Sequence, residues 1–378
     1  MKSEIILTEQ DFIIVGQGVA GSVLAYFLRK NGQKVLVFDG NTDLSRDNRE
    51  RSSTASKIAA GVINPITGRR FVKSWRMDAL LPVAKRTYQD LEKLLNVPLW
   101  HERDIVRTLK DVEEENNFLL RRTYPDYQDF CGESIDNFDN THLNPFYAFA
   151  AIKKGAQVNL PFFVAEFRRY LVENQSFISE KIASDDLIFS DDSVIYKNIK
   201  AKKIIFADGA AGATNPYFSW LPFNLDKGEL LLVRIPNWDF KHIFKHKISI
   251  VPLHDVGSNG EWNNENLYWV GATNAWQFEN DLPTEANKQL ILNELREILN
   301  CPFEVVAHHA AVRPTVRDRR PFIGLHPQIL SLGIFNGFGT KGASLIPFFA
   351  EHFVHSLLNQ VTLEKDIDIK RFTNMSCK

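Results

Sequence analysis

Residues 13–40, IIVGQGVAGSVLAYFLRKNGQKVLVFDG, pass from a β-branched run through three glycines and end at an acid. Residues 12–15 have the composition of a buried parallel strand, and Val23, Leu24, Phe27 and Leu28 have helical spacing over 22–31. Gly32 is a helix stop, after which 34–38 reads as a second strand running into Asp39. Between first strand and helix lies Gly16-Gln17-Gly18-Val19-Ala20-Gly21. The first glycine permits a tight turn, the second lets a phosphate approach the backbone, and the third lets helix pack on strand. A pyrophosphate would then sit on the free N–H groups of the helix start. Asp39, eighteen residues beyond Gly21, stands where a carboxylate accepts ribose hydroxyls and disfavours a 2′-phosphate. The stretch predicts a site for an adenosine dinucleotide and leaves open whether nicotinamide or flavin hangs from it.

The 378 residues suit one large two-lobed unit or two domains, and no long linker, internal repeat or low-complexity tract divides them. Lys plus Arg (45) almost cancels Asp plus Glu (46), so no broad nucleic-acid footprint is implied. Apolar runs such as 13–15 and 230–233 fall far short of the roughly eighteen residues of a membrane span, and 1–10 carries acids without a signal core. The expected address is cytoplasmic, without a membrane partner. Cys131, Cys301 and Cys377 are odd in number and widely spaced, hence expected as free thiols. His308-His309 would point to opposite faces of a strand, and His352 with His355 has no acid or Cys companion at ligand spacing, so no metal is expected.

Beyond a polar, charged stretch at 41–51, expected as an exposed loop, the chain turns small and neutral in SSTASKIAAGVINP, residues 52–65. AKKIIFADGAAG, residues 201–212, is a strand ending in small residues. RPTVRDRRPFIG, residues 313–324, precedes LGIFNGFGTKGAS, residues 332–344, and a helix. With the dinucleotide fingerprint, these segments resemble the FAD-dependent oxidoreductases of the D-amino acid oxidase family. That family includes glycine oxidase, sarcosine oxidase and the oxidase half of a bacterial tRNA-modifying enzyme. GAQVNLP at 155–161, DKGEL at 226–230, GAT at 271–273 and Arg371-Phe372 match in order, so the resemblance spans nearly the whole chain.

The resemblance implies an α/β protein in which a Rossmann-type FAD-binding lobe, residues 1–75, 150–212 and 313–378, is interleaved with a substrate lobe. The latter, 76–149 and 213–312, would be α+β, built on a mixed or antiparallel sheet. Long helices are predicted over 76–96, with Leu80, Leu81, Ala84, Tyr88, Leu91 and Leu95 on its apolar stripe, and over 284–299, N-capped by Thr284. Strands are predicted at 228–234, 247–253 and 266–272. By the same resemblance the cofactor is FAD, held by Gly16, Gly18, Val19, Ala20, Gly21, Asp39, Gly40, Ser56, Ala59, Ala60, Gly61, Ile182, Ala207, Gly209, Gly337, Gly339, Thr340, Lys341 and Gly342. No cysteine follows the arginine motif where covalently flavinylated relatives attach theirs, so non-covalent FAD is expected.

The implied activity is oxidation of the C–N bond of a small amine or amino acid, of the glycine, D-amino acid or N-methyl amino acid type, by hydride transfer to flavin N5. Arg313 would grip the substrate carboxylate through a two-pronged pair of hydrogen bonds. Its competing role is a structural pair with an acid. Lys341, at the start of a helix over 343–358 with Pro347 in or near its first turn, would add positive charge beside the flavin pyrimidine edge. The tyrosine that assists the arginine in glycine oxidase falls near Ser249, and Tyr268 on a neighbouring strand is the substitute candidate. Asp208 stands where relatives have a small or hydroxyl residue, and is expected to point away from a phosphate or bind a backbone donor. Oxidation of a glycine-like tRNA modification, and an FAD-binding module without turnover, are the alternatives.

Overall fold

The structure, a computed structural model, describes residues 8–40, 50–135, 138–253 and 266–375. Of the expected loop at 41–51, residues 41–49 lie outside these, as does Cys377, while 50 and 51 belong to a strand instead. β1 (Thr8–Val15), α1 (Val19–Lys30) and β2 (Val35–Phe38) form the opening unit, followed by β3 (Glu50–Thr54) and α2 (Met77–Leu95). Next come β4 (Ile105–Leu109), β5 (Ala148–Ile152), α3 (Leu160–Glu173) and β6 (Ile199–Phe206). The strands β7 (Asp226–Arg234), β8 (Ile243–Lys245), β9 (Ser249–Pro252) and β10 (Leu267–Gly271) precede α4 (Glu285–Ile298). The chain ends through β11 (Glu304–Arg313), β12 (Leu332–Asn336) and α5 (Gly342–Asn359).

An eight-stranded sheet has β1 at its centre, flanked in parallel by β2 and β6, with β6 passing in parallel to β12. Parallel strands covered on both faces must be apolar throughout, and β2 is buried at all four residues. α1 starts at Val19, three residues before the predicted start, because the glycine turn feeds straight into it. A second, nine-stranded sheet runs β3, β11, β7, β10, β9, β8, β4, β5 and Cys131–Gly132. It is mixed, being antiparallel except where β3 joins β11 and β8 joins β4. Residues 50–54, expected in the cofactor lobe, instead pair along β11 in this second sheet, and β5 carries 150–152 there as well.

α2 buries Leu80, Ala84, Tyr88 and Leu91 and packs against α5. α4 begins after Thr284, whose Oγ1 accepts the Asn287 N–H at 3.4 Å, as a capping hydroxyl should. α5 starts at Gly342, which puts Pro347 inside the helix rather than in its first turn. One apolar core joins the sheets: Phe12, Ile14 and Val37 belong to the same buried cluster as Ile105, Ile152 and Val251. Cys131 and Cys301 are free thiols. Among the described residues no helix is long and apolar enough to cross a membrane.

Candidate functional site

Between the sheets lies a cavity of about 1080 Å³ that takes in the turn after β1, the end of β2, residues 54–62, the end of β6, the start of α5 and one face of the second sheet. The turn is built by steric exclusion. Gly16 has φ +99°, and a Cβ there would stand 2.6 Å from the Ala207 carbonyl oxygen; one on Gly18 would stand 2.9 Å from Ser56 Oγ. The Val19 N–H, at the first position of α1, donates to Ser56 Oγ at 3.1 Å, while the N-cap residue Gly18 has no side chain to cap the helix.

A buried polar network locks this turn. The Gln17 N–H donates to Asp39 Oδ2 at 2.7 Å, Gln17 Nε2 donates to Ser22 Oγ at 2.8 Å, and Arg168 Nε donates to Gln17 Oε1 at 2.7 Å. Arg168 Nη2 lies 3.4 Å from Asp39 Oδ2. Arg168 comes from α3, carries no motif, and escapes a reading of the sequence. Burial lowers its pKa, partly offset by Asp39.

The other expected cofactor residues also line the cavity, with two exceptions. Gly21 lies behind it, where a Cβ would stand 1.9 Å from the Gly16 carbonyl oxygen, so it serves helix-on-strand packing as its place in the motif implies. Gly337 does not line it either: at φ +80° it turns the chain, and its N–H donates to Asn336 Oδ1 at 2.8 Å. Asp208 lines the cavity but its carboxylate is occupied, accepting from Asn336 Nδ2 at 2.9 Å and Asn215 Nδ2 at 3.2 Å. Burial raises its pKa to about 6 against these donors.

The second sheet presents alternate residues to the cavity. Lys245 is paired with Ser249, Ser249 with Gly271 and Gly271 with Leu230, while Gly228 faces Ala311 and Asp226 faces Arg313. Directly paired residues share a face, as do residues two apart, so these side chains form one surface. Arg313 Nη1 donates to Asp226 Oδ2 at 2.7 Å, to the Thr273 carbonyl at 3.2 Å and to Asn274 Oδ1 at 3.2 Å. The Asp226 side chain is 2 % exposed and that of Arg313 16 %, so the pair is anchored in the wall while the guanidinium still reaches the cavity. Gly228 makes room for it, since a Cβ there would lie 1.9 Å from Nη2. Of the two roles weighed for Arg313, the acid partner is present in Asp226, and the side chain also lines the cavity.

Tyr268 is corrected by the same parity. It lies one residue off the cavity face, fully buried, its hydroxyl donating to the Trp238 carbonyl and accepting the Phe240 N–H at 3.1 Å. Trp269 takes the cavity position instead and donates Nε1–H to the Ile58 carbonyl at 2.9 Å. Opposite, Lys341 lines the cavity and donates to Ser74 Oγ at 3.3 Å. Desolvation of its ammonium, then the charges of Arg319 and Arg320, lower its pKa, although the residue as a whole is exposed.

The family description "FAD dependent oxidoreductase", DAO, matches residues 11–356. The chain belongs to the DAO family of FAD-dependent oxidoreductases. Similar DAO-type folds have been solved for glycine oxidase from Geobacillus kaustophilus, with a TM-score of 0.74, 20% identity, 96% of this chain and 98% of that one. Iminodiacetate oxidase from a Chelativorans species gives 0.70, 19%, 94% and 98%. L-Amino acid deaminase from Proteus myxofaciens gives 0.71, 14%, 97% and 94%. A curated relative, kynurenine 3-monooxygenase from Christiangramia forsetii, is 58% identical over 36 residues, 10% of this chain and 8% of that protein. The DAO cofactor, FAD, fits what the lining shows: a turn that admits only glycine at position 16, a helix start whose N-cap residue is glycine, and a carboxylate held at the end of β2.

Proposed function

We propose that this protein oxidises the C–N bond of a small amine or amino acid bearing a carboxylate, and that Arg313 binds that carboxylate. The single observation behind the reading is the Arg313–Asp226 pair on the cavity wall. Asp226 engages Nη1, and among the described residues neither Nε nor Nη2 has a partner, so one edge of the fork is left for a ligand. Bound FAD supplies the two-electron acceptor for the hydride that leaves the carbon next to nitrogen. The chain's own residues do the positioning: Arg313 fixes the carboxylate end, Trp269 and the small residues of the second sheet form a dry wall, and Lys341 adds positive charge across the cavity. Water then hydrolyses the imine product to a carbonyl compound and an amine. The two-lobed division and the cofactor-holding roles of the glycine turn, Asp39 and the 56–61 segment belong to the same proposal.

The test is anaerobic mixing of the yellow holoprotein with glycine, sarcosine, D-alanine and D-proline. Loss of the flavin absorbance with one of them is the expected outcome, and no loss with any small amine removes the reading. Arg313→Lys is the informative variant, because Arg313→Ala would leave the Asp226 carboxylate buried and unpaired. Lysine keeps that pair but loses the fork, so KM should rise about 10–100-fold with FAD retained; an unchanged KM removes Arg313 from substrate binding.

A further inference from the structure

A further cation faces the same cavity, and among the described residues no carboxylate accounts for it. Lys245 ends β8 on the cavity face, beside Ser249 on one strand and Arg107 on the other. Among the described residues its only hydrogen bond is Nζ donating to the Lys247 carbonyl at 3.1 Å. Arg107 does not relieve it, being bound to the Gly68 carbonyl at 2.6 Å and stacked 4.2 Å from the Phe71 ring centroid. Burial, then the charge of Arg107, pushes the Lys245 ammonium down to about 8. A desolvated cation beside another cation is costly unless an anion joins it.

The sheet register sets how far this cation lies from Arg313. From β8 the order runs through β9 and β10 to β7, where the Arg313 guanidinium rests against Gly228, two residues along from the Lys245–Ser249–Gly271–Leu230 row. Three strand spacings of about 4.8 Å with that offset give roughly 16 Å from Lys245 to Gly228. Swung from the Lys247 carbonyl towards Arg313, an extended lysine side chain would cover about 6 Å of this, leaving about 10 Å between the charged heads. One carboxylate cannot meet both at hydrogen-bond distances of about 2.8 Å. Between them the wall is Ser249, Gly271 and Leu230, small or apolar, which leaves room for a linking chain.

We propose that the ligand of this cavity is a dianion: an amine carrying two carboxylates separated by about three to five atoms, one held by Arg313 and the other by Lys245. The assignment rests on the substrate role given to Arg313 above and adds a specificity-determining residue to it. Hydride loss from the carbon next to nitrogen is unchanged; Lys245 selects which amine is bound.

The test uses non-oxidisable probes on the FAD holoprotein, read by perturbation of the oxidised flavin spectrum and by calorimetry. Glutarate should bind about 10–100-fold more tightly than butyrate, the effect of one added charge-assisted hydrogen bond. Lys245→Met should cut that advantage below about threefold, and Lys245→Arg should keep most of it. Equal affinities of glutarate and butyrate for the native protein overturn the proposal, and so does a full advantage retained in Lys245→Met. The native comparison decides even if the variants misfold. Because nothing is turned over, dicarboxylate selectivity without amine oxidation would sink the proposed reaction and not the second anion site, and amine oxidation without selectivity would do the reverse.

Discussion

Asp208 shows how a single acid can line the cavity proposed for FAD with its carboxylate already taken up by the protein. Asn336 and Asn215 cannot turn their amides around, because their Oδ1 atoms accept the Gly337 and Tyr217 N–H groups at 2.8 and 3.0 Å. Both therefore present Nδ2 to the carboxylate, yet burial dominates and the pKa stands near 6, above the ordinary 3.8. A raised carboxyl pKa favours the folded state most below the unfolded value, and that contribution is lost as pH rises through the folded one. Asp208→Ser removes it along with two hydrogen bonds that favour the ionised carboxylate and are already contained in that pKa. Comparing native and variant unfolding in urea, the native advantage should shrink by about 2–3 kcal/mol between pH 4 and pH 7. A difference that stays constant over that window would show that Asp208 does not titrate there. Its place beside the glycine turn is legible from the strand 201–208, but the two asparagines, 7 and 128 residues away, are not.

At the scale of an element, β7 divides its four leading residues between two tasks. Asp226 and Gly228 face the cavity with Arg313, while Lys227 and Glu229 face the other way. There the Glu229 carboxylate accepts from the Thr284 N–H at 2.8 Å, Asn287 Nδ2 at 2.8 Å and His308 Nε2 at 2.9 Å, tying down the start of α4. Gly228→Ala should push the guanidinium aside, since its Cβ would overlap Nη2. The expected result is a KM increase of about 10-fold or more for a carboxylate substrate, with FAD content and α4 intact. An unchanged KM with normal FAD loading would mean that the guanidinium position does not matter. The strand itself is legible from its apolar run at 230–233, as are the β1–α1–β2 unit and the capped α4, because apolar runs, turn glycines, periodicity and caps act over a few neighbours. Lys245 is not, since β8 has three residues and becomes part of the site only through its pairing with β4 and β9. Tyr268 failed for the same reason: which face a strand residue takes depends on a register that long-range partners set.

Across the whole molecule, the interleaving of the chain has a thermodynamic consequence. β3 leaves the opening unit to pair with β11, β5 precedes α3 of the glycine-turn network, and a single apolar cluster runs from β1 and β2 into β4, β5 and β9. Each sheet also packs a cluster of its own, around Ile204 in the first and around Val270 in the second, but the extensive cluster they share ties the two together, so they should unfold together. FAD in the proposed cavity, which both sheets line, would bind only when both are formed and would stabilise them jointly. At a free FAD concentration a hundred times its dissociation constant the gain is about 2.7 kcal/mol. With an unfolding entropy near 2.1 cal/mol/K per residue, that raises Tm by about 3–4 °C for a chain of 378 residues. Scanning calorimetry should show one transition in the FAD-free protein and one, displaced upward by that amount, in the FAD-saturated protein. Two resolved transitions with only one moved by FAD would mean that the second sheet folds apart from the cofactor, and the positioning of Arg313 and Lys245 by a shared core would have to be abandoned.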